Sequence, residues 1–149
     1  MLRVWLCIAV IGGLVGCGGS EASKALPKTV PAKGIVTLDA KPLPDATLTF
    51  IPRGGTKGIE CYGSTNEKGE FSMKQLRGEN GAPPGDYTVV VSRYLKPDGK
   101  AIALGSSEMP ADVGAVESLS PRYSDPTSST LSALVPAAGG EFKFELKSR

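Results

Sequence analysis

Apolar and polar side chains alternate along much of the chain beyond Lys33, the period-two signature of strands with one face buried. The run Phe142-Lys143-Phe144-Glu145-Leu146-Lys147 alternates without a fault, which predicts Phe142, Phe144 and Leu146 on a core face. Residues 46–51 repeat the pattern, with Ala46, Leu48 and Phe50 inward and threonines outward. Residues 86–92 form the strongest strand signal, with Tyr87, Val89 and Val91 inward. Residues 34–38 and 130–135 are further candidates. Residues 59–65 and 70–74 flank Asn66-Glu67-Lys68-Gly69 and read as a hairpin, with Gly69 supplying a positive φ. Between the first two strands, Pro42 and Pro44 interrupt any ladder and force a connection. Gly139-Gly140 suits a tight turn before the last strand. Seven strands and no amphipathic helix of useful length give an all-β expectation, a seven-stranded antiparallel β-sandwich.

One segment breaks the short-loop rule. Residues 95–129 carry Pro97, Pro110, Pro121 and Pro126 with glycines at 99, 105 and 114. Loops this long are uncommon in compact domains, and are usually functional or disordered. Within it, Arg122-Tyr123-Ser124-Asp125-Pro126-Thr127 reads as more ordered, with Tyr123 packing on the sandwich edge and Asp125 starting a turn.

The N-terminal part has a different pattern. Residues 4–15 form an apolar run of 12 residues preceded by Arg3, too short for the ~20 residues a membrane-crossing helix needs. A basic start, a short apolar stretch and small residues before a cut form the secretory pattern. The run closes on Leu14-Val15-Gly16-Cys17, which resembles the lipobox of bacterial lipoprotein signal peptides. That resemblance implies removal of residues 1–16 and lipidation of the Cys17 thiol, palmitate among the acyl chains. Gly18 follows, so no aspartate signals inner-membrane retention. The expected location is extracytoplasmic, lipid-anchored to a bacterial membrane, at the outer membrane or cell surface. Residues 17–32 are small, polar and proline-containing, and read as a lipidated flexible tether with a reach of roughly 20 Å. Residues 33–149 are left as one domain.

Composition removes options. Taking Arg3 from the 17 basic residues leaves 16 against 15 acidic residues, which gives no electrostatic footprint for nucleic acid. The chain has no histidine, so the commonest general base and the usual zinc ligand are missing. Trp5, the only tryptophan, would leave with the leader. With Cys17 lipidated, Cys61 has no disulfide partner and reads as a small buried strand residue. No catalytic residue, cofactor or metal ligand set is expected. Asn66, Glu67, Glu70 and Asp86 are oxygen-bearing, but lack the spacing of a calcium loop.

Three segments carry a wider resemblance: 39–46 (Asp-Ala-Lys-Pro-Leu-Pro-Asp-Ala), 65–71 (Thr-Asn-Glu-Lys-Gly-Glu-Phe) and 84–89 (Pro-Gly-Asp-Tyr-Thr-Val). Together they resemble the carboxypeptidase regulatory-like, transthyretin-like domain, and residues 120–126 resemble its small-lipoprotein subgroup. Ala40 and Asp45 stand where that family often has glycine. The resemblance implies a prealbumin-like, Ig-like Greek-key sandwich and says little about activity. The family's zinc carboxypeptidase half is missing from this sequence. Its urate-pathway hydrolases use histidine and a Tyr-Arg-Gly-Ser ending, where this chain has Leu146-Lys147-Ser148-Arg149. The pilin-type Lys–Asn crosslink has only Asn66 and Asn80 to draw on. The leading expectation is a non-catalytic structural or adhesive envelope module, held to the membrane through its lipid. The alternative is a module that binds a glycan, peptide or envelope protein through the long loop, with Tyr62, Tyr94 and Tyr123 contributing where exposed. A carboxylate- or metal-dependent hydrolase comes last.

Overall fold

The computed structural model describes residues 27–76 and 78–148, so the expected leader, lipobox and most of the tether lie outside the described residues. In chain order the elements are β1 (Ala32–Leu38), β2 (Lys41–Pro42), β3 (Thr47–Pro52), β4 (Cys61–Ser64), β5 (Glu70–Ser72) and β6 (Lys74–Gln75). They continue with β7 (Gly85–Ser92), β8 (Tyr94–Leu95), β9 (Val116–Glu117), the single-turn helix α1 (Pro121–Ser124), β10 (Leu131–Val135) and β11 (Gly140–Leu146). The protein is all-β.

Two sheets share one core. The first runs β11-β1-β2, with β5 also on β1; the second runs β10-β7-β3-β4-β6. Val36, Phe71, Phe144 and Leu146 come from the first sheet to meet Leu48, Phe50, Tyr87 and Val89 from the second. Phe50 is the hub, its ring 5.6 Å from Tyr87, 5.7 Å from Phe142, 6.3 Å from Phe144 and 6.4 Å from Phe71. Every residue expected inward on β3 and β7 is fully buried, because strand alternation leaves only those positions facing the opposite sheet. Phe144 and Leu146 follow the same rule, while Phe142 is half-buried at the core's margin.

Several expectations change. The ladders are not all antiparallel: β1 and β11 pair in parallel from Ala32↔Gly140 to Leu38↔Leu146. A parallel neighbour needs a long connection, and almost the whole domain separates these two strands. The expected hairpin across 66–69 is divided between sheets. Glu70–Ser72 pairs with β1, whereas Lys74–Gln75 returns to β4, so the chain changes sheet around Met73. Such splitting, with two short strands in the long loop and β2 in the proline connection, turns seven expected strands into eleven among the described residues. The end of the expected tether also belongs to the fold. Val30 bridges Ala82 and Ala32 is buried in β1, so the folded body begins before Lys33.

The β1–β2 turn holds Asp39 at φ 49° and Ala40 at φ 65°. Left-handed geometry at both central residues is what a tight hairpin with native twist requires, and Asp-Gly is a preferred pair there. Alanine pays a Cβ clash of roughly 1–2 kcal/mol in that region. Ala40→Gly is therefore expected to stabilise the protein by about 1 kcal/mol, after glycine's extra chain entropy is subtracted. Urea unfolding of the two proteins side by side measures this; an unchanged or lower midpoint contradicts it.

Candidate functional site

The second sheet carries an ordered arm where the sequence suggests a loop. Residues 93–118 leave the end of β7 and return beside it, closed at the base by a clasp. The Glu117 Oε1 accepts the N–H of Arg93 at 3.0 Å and of Leu119 at 2.9 Å. Ser118 donates its N–H at 2.9 Å and its hydroxyl at 2.8 Å to the Arg93 carbonyl. Above the clasp, β8 and β9 pair as a two-residue ribbon. Further out, the Lys96 N–H donates to the Lys100 carbonyl at 2.8 Å, and Lys96 Nζ lies 3.2 Å from the Glu108 carboxylate. A surface ion pair contributes about 0–1 kcal/mol, whereas each hydrogen bond to a charged acceptor contributes about 1.5–3. The clasp, more than the ion pair, holds the arm in place.

Tyr62 pairs with Thr49 and with Lys74, which sets all three on the outer face of the second sheet. The arm's Leu104 and Gly105 face that surface. With Tyr62, Lys74, Gln75, Leu76 and Gly78 they line a mostly apolar cleft of about 340 Å³. Leu76 is 78% exposed and Leu104 37%, so both present apolar surface to solvent. The Tyr62 hydroxyl donates to the Glu60 carboxylate, and that bond, helped by burial, pushes its pKa up to about 12. The phenol therefore stays protonated and tied down at neutral pH. What the cleft can do is grip an apolar or ring-shaped group between Leu76, Leu104 and Tyr62, with the Lys74 ammonium at its wall.

Gln75 is 1% exposed, and among the described residues neither its Oε1 nor its Nε2 has a hydrogen-bond partner. Its register partner is Cys61, so its side chain lies on the core face rather than the outer wall. Cys61 itself is buried, which pushes its thiol up to about 11 and keeps it protonated at neutral pH.

A larger groove, about 490 Å³, lies over β5, β1 and β11, lined in part by Lys33, Ile35, Glu70 and Lys143. Its charges already answer one another. Lys33 meets Glu141 at 2.8 Å and Lys143 meets Glu145 at 2.6 Å, all four side chains mostly exposed. That face reads as a solvated sheet surface.

The expected site residues separate. Cys17, Leu14, Val15 and Gly16 lie outside the described residues. Tyr62 lines the cleft and Tyr94 is exposed on β8, but Tyr123 is buried in the core, its hydroxyl accepting the Lys147 N–H at 3.2 Å. Tyr123 closes the fold and offers no binding surface. Asn66 is spent on its own turn, its Oδ1 accepting the N–H groups of Lys68 and Glu70 at 2.9 Å each. Among the described residues, no three histidine, cysteine, aspartate or glutamate side chains converge as a metal site would require. Sequence reasoning missed Leu76 and Leu104 as cleft walls and Glu117 as the clasp. Apolar residues set among glycines were the only signal for the first two, and nothing local marks the third. Compared with known proteins, the chain matches no family model, no curated protein and no solved structure.

Proposed function

We propose that this chain is a lipid-anchored extracytoplasmic protein of a bacterial envelope, whose β body is a non-catalytic structural or adhesive module. The observation that carries it is Leu14-Val15-Gly16-Cys17, closing a short apolar run behind Arg3 and ahead of a small polar stretch. In this reading the two sheets are a carboxypeptidase regulatory-like, transthyretin-like sandwich that departs from a purely antiparallel plan at β1–β11. Its support is that the three segments bearing the resemblance fall at the β1–β2 turn, the Asn66–Gly69 turn and β7. Several acyl chains on one cysteine hold a protein far more firmly than a single chain can. Cys17→Ser, expressed in the native host, is expected to leave the membrane fraction and lose incorporation of labelled palmitate. Unchanged membrane retention of that variant contradicts the proposal.

The cleft under the arm favours a second reading, a binding module for a glycan, peptide or envelope protein. Leu76→Asp with Leu104→Asp would place two charges on its walls without touching the core. In this reading the double variant loses at least about tenfold in affinity for whatever the wild type retains from envelope extract. Equal retention by both proteins contradicts it.

A further inference from the structure

The chain enters the folded body beside the cleft. Pro27, the first described residue, packs against Gly58, three residues before β4 begins. Antiparallel pairing of Cys61 with Gln75 puts Leu76, the next residue, beside that same entry to β4. The bridges Lys74↔Asn80 and Ala82↔Val30 follow, so only residues 80–82 stand between β6 and the run that begins at Pro27. Pro27 and Leu76 therefore share one end of the second sheet.

That end is both apolar and basic. Leu76 is 78% exposed, more than any other large apolar side chain among the described residues, and Leu104 lines the cleft with it. Lys28 is exposed next to Pro27, Lys57 next to Gly58, and Lys74 on the cleft wall. None of the three has an ion-pair partner among the described residues. Glu60, bound to the Tyr62 hydroxyl, and Glu79 are the acidic residues of the same end. On the outer face of the first sheet the lysines are answered instead, Lys33 by Glu141 and Lys143 by Glu145. Exposed leucine flanked by lysine suits the headgroup boundary of a bilayer, where apolar area is buried and cations meet acidic lipids.

Building on the lipid-anchored reading above, we propose that Leu76, Leu104 and Lys74 form a docking surface for the bilayer that holds the anchor. The length of chain names the occupant. Cys17 and Pro27 are ten residues apart, a span of at most about 35 Å when fully extended. A body of this size is itself roughly 35 Å across. The entry at Pro27 is thus the part of the body held closest to the bilayer, with Leu76 beside it. Docking there takes two leucines out of water and turns Lys74 toward acidic headgroups. A glycan or protein in the cleft would need no such placement next to the anchor. The lipid supplies permanence and the docking surface supplies orientation, with the charged outer face of the first sheet turned to solvent.

Lipidated protein recovered from the native host, reconstituted in vesicles of phosphatidylethanolamine and phosphatidylglycerol, tests it. Lys74→Cys and Lys143→Cys each offer a thiol for a fluorescent label, because Cys61 is fully buried and Cys17 is acylated in the anchored protein. A phospholipid bearing a nitroxide on its headgroup is expected to quench the label at 74 strongly and to leave the label at 143 near full intensity. Adding Leu76→Asp and Leu104→Asp to Lys74→Cys is expected to bring its quenching down to the level at 143, while the protein still floats with the vesicles. All these positions are at the surface, and circular dichroism checks that each variant folds. Floating protein quenched equally at the two positions, or a label at 74 still quenched with both aspartates present, overturns the proposal and leaves the anchor standing. A protein or glycan as the true occupant gives the first of these results, since the vesicles contain neither. Protein that does not float removes the anchor and the docking surface together.

Discussion

Gly34→Ala is expected to prevent the domain from reaching its native state. Gly34 sits in the middle of β1, paired with Phe71 on β5 and with Phe142 on β11. A Cβ added there would fall far inside van der Waals contact with the main-chain carbonyl of Phe142. A clash with a flexible side-chain tip can be relieved by a rotamer change, but a clash with backbone cannot. β11 would have to move off β1, and the parallel ladder from Ala32↔Gly140 to Leu38↔Leu146 would go with it. That ladder brings Phe144 and Leu146 to the core. Overpacking in a core usually costs about 1–3 kcal/mol, and losses above about 4 are reserved for cases of this kind. A domain of this size has only about 5–15 kcal/mol of stability to lose. The expectation is a cost above about 4 kcal/mol, read by urea unfolding of whatever soluble protein is recovered. A loss below about 1 kcal/mol would mean that β11 is not held against Gly34 as described.

Phe50→Ala should rank next, at about 3–5 kcal/mol. Phe50 has no exposed surface, and its ring meets Tyr87 of its own sheet and Phe71, Phe142 and Phe144 of the other. Removing it withdraws the transfer free energy of the ring and leaves a cavity between two sheets that can only partly close. Edge-to-face contacts with Phe142 and Phe144 add a smaller part, about 0.5–1.5 kcal/mol per pair. Thermal unfolding followed in the far ultraviolet measures the loss. The natural control is Leu134→Ala, an exposed leucine of similar size, expected within about 0.5 kcal/mol of wild type under dilute, monomeric conditions. Similar losses for the two variants would contradict the two-sheet core.

The strands that the sequence makes legible are those in which alternation alone decides the face. Ala46, Leu48, Phe50, Tyr87, Val89 and Val91 lie where the period-two pattern places them, fully buried. Pairing is less legible, because period two fixes which face a residue takes and says nothing about its neighbour strand. For that reason residues 70–74 read as one strand of a hairpin while the fold divides them between two sheets. The parallel β1–β11 pair is invisible for the same reason, being a contact between the two ends of the domain. In the long loop, local signals indicate turns, but its order comes from the Glu117 clasp reaching back to Arg93. No local pattern marks a carboxylate whose partner is a backbone N–H 24 residues earlier. The cleft depends on the arm, so it is hidden with it. Tyr123 is the opposite case: its neighbourhood reads as ordered, and so it is, but the side chain turns into the core.

Ala40 joins local sequence and fold most directly. The backbone there sits at φ 65°, as a glycine would prefer. The hairpin keeps its shape with alanine because β1 is held on both sides, by β11 and by β2 and β5.

Mass spectrometry of the amino-terminal peptide, recovered from the native host's membranes, bears most directly on how this protein works. A peptide that begins at Cys17 and carries acyl mass on its sulfur and amine is the expected result. A peptide beginning at Met1 or Leu2 with an unmodified Cys17 would contradict it, leaving an all-β body with nothing to hold it to an envelope.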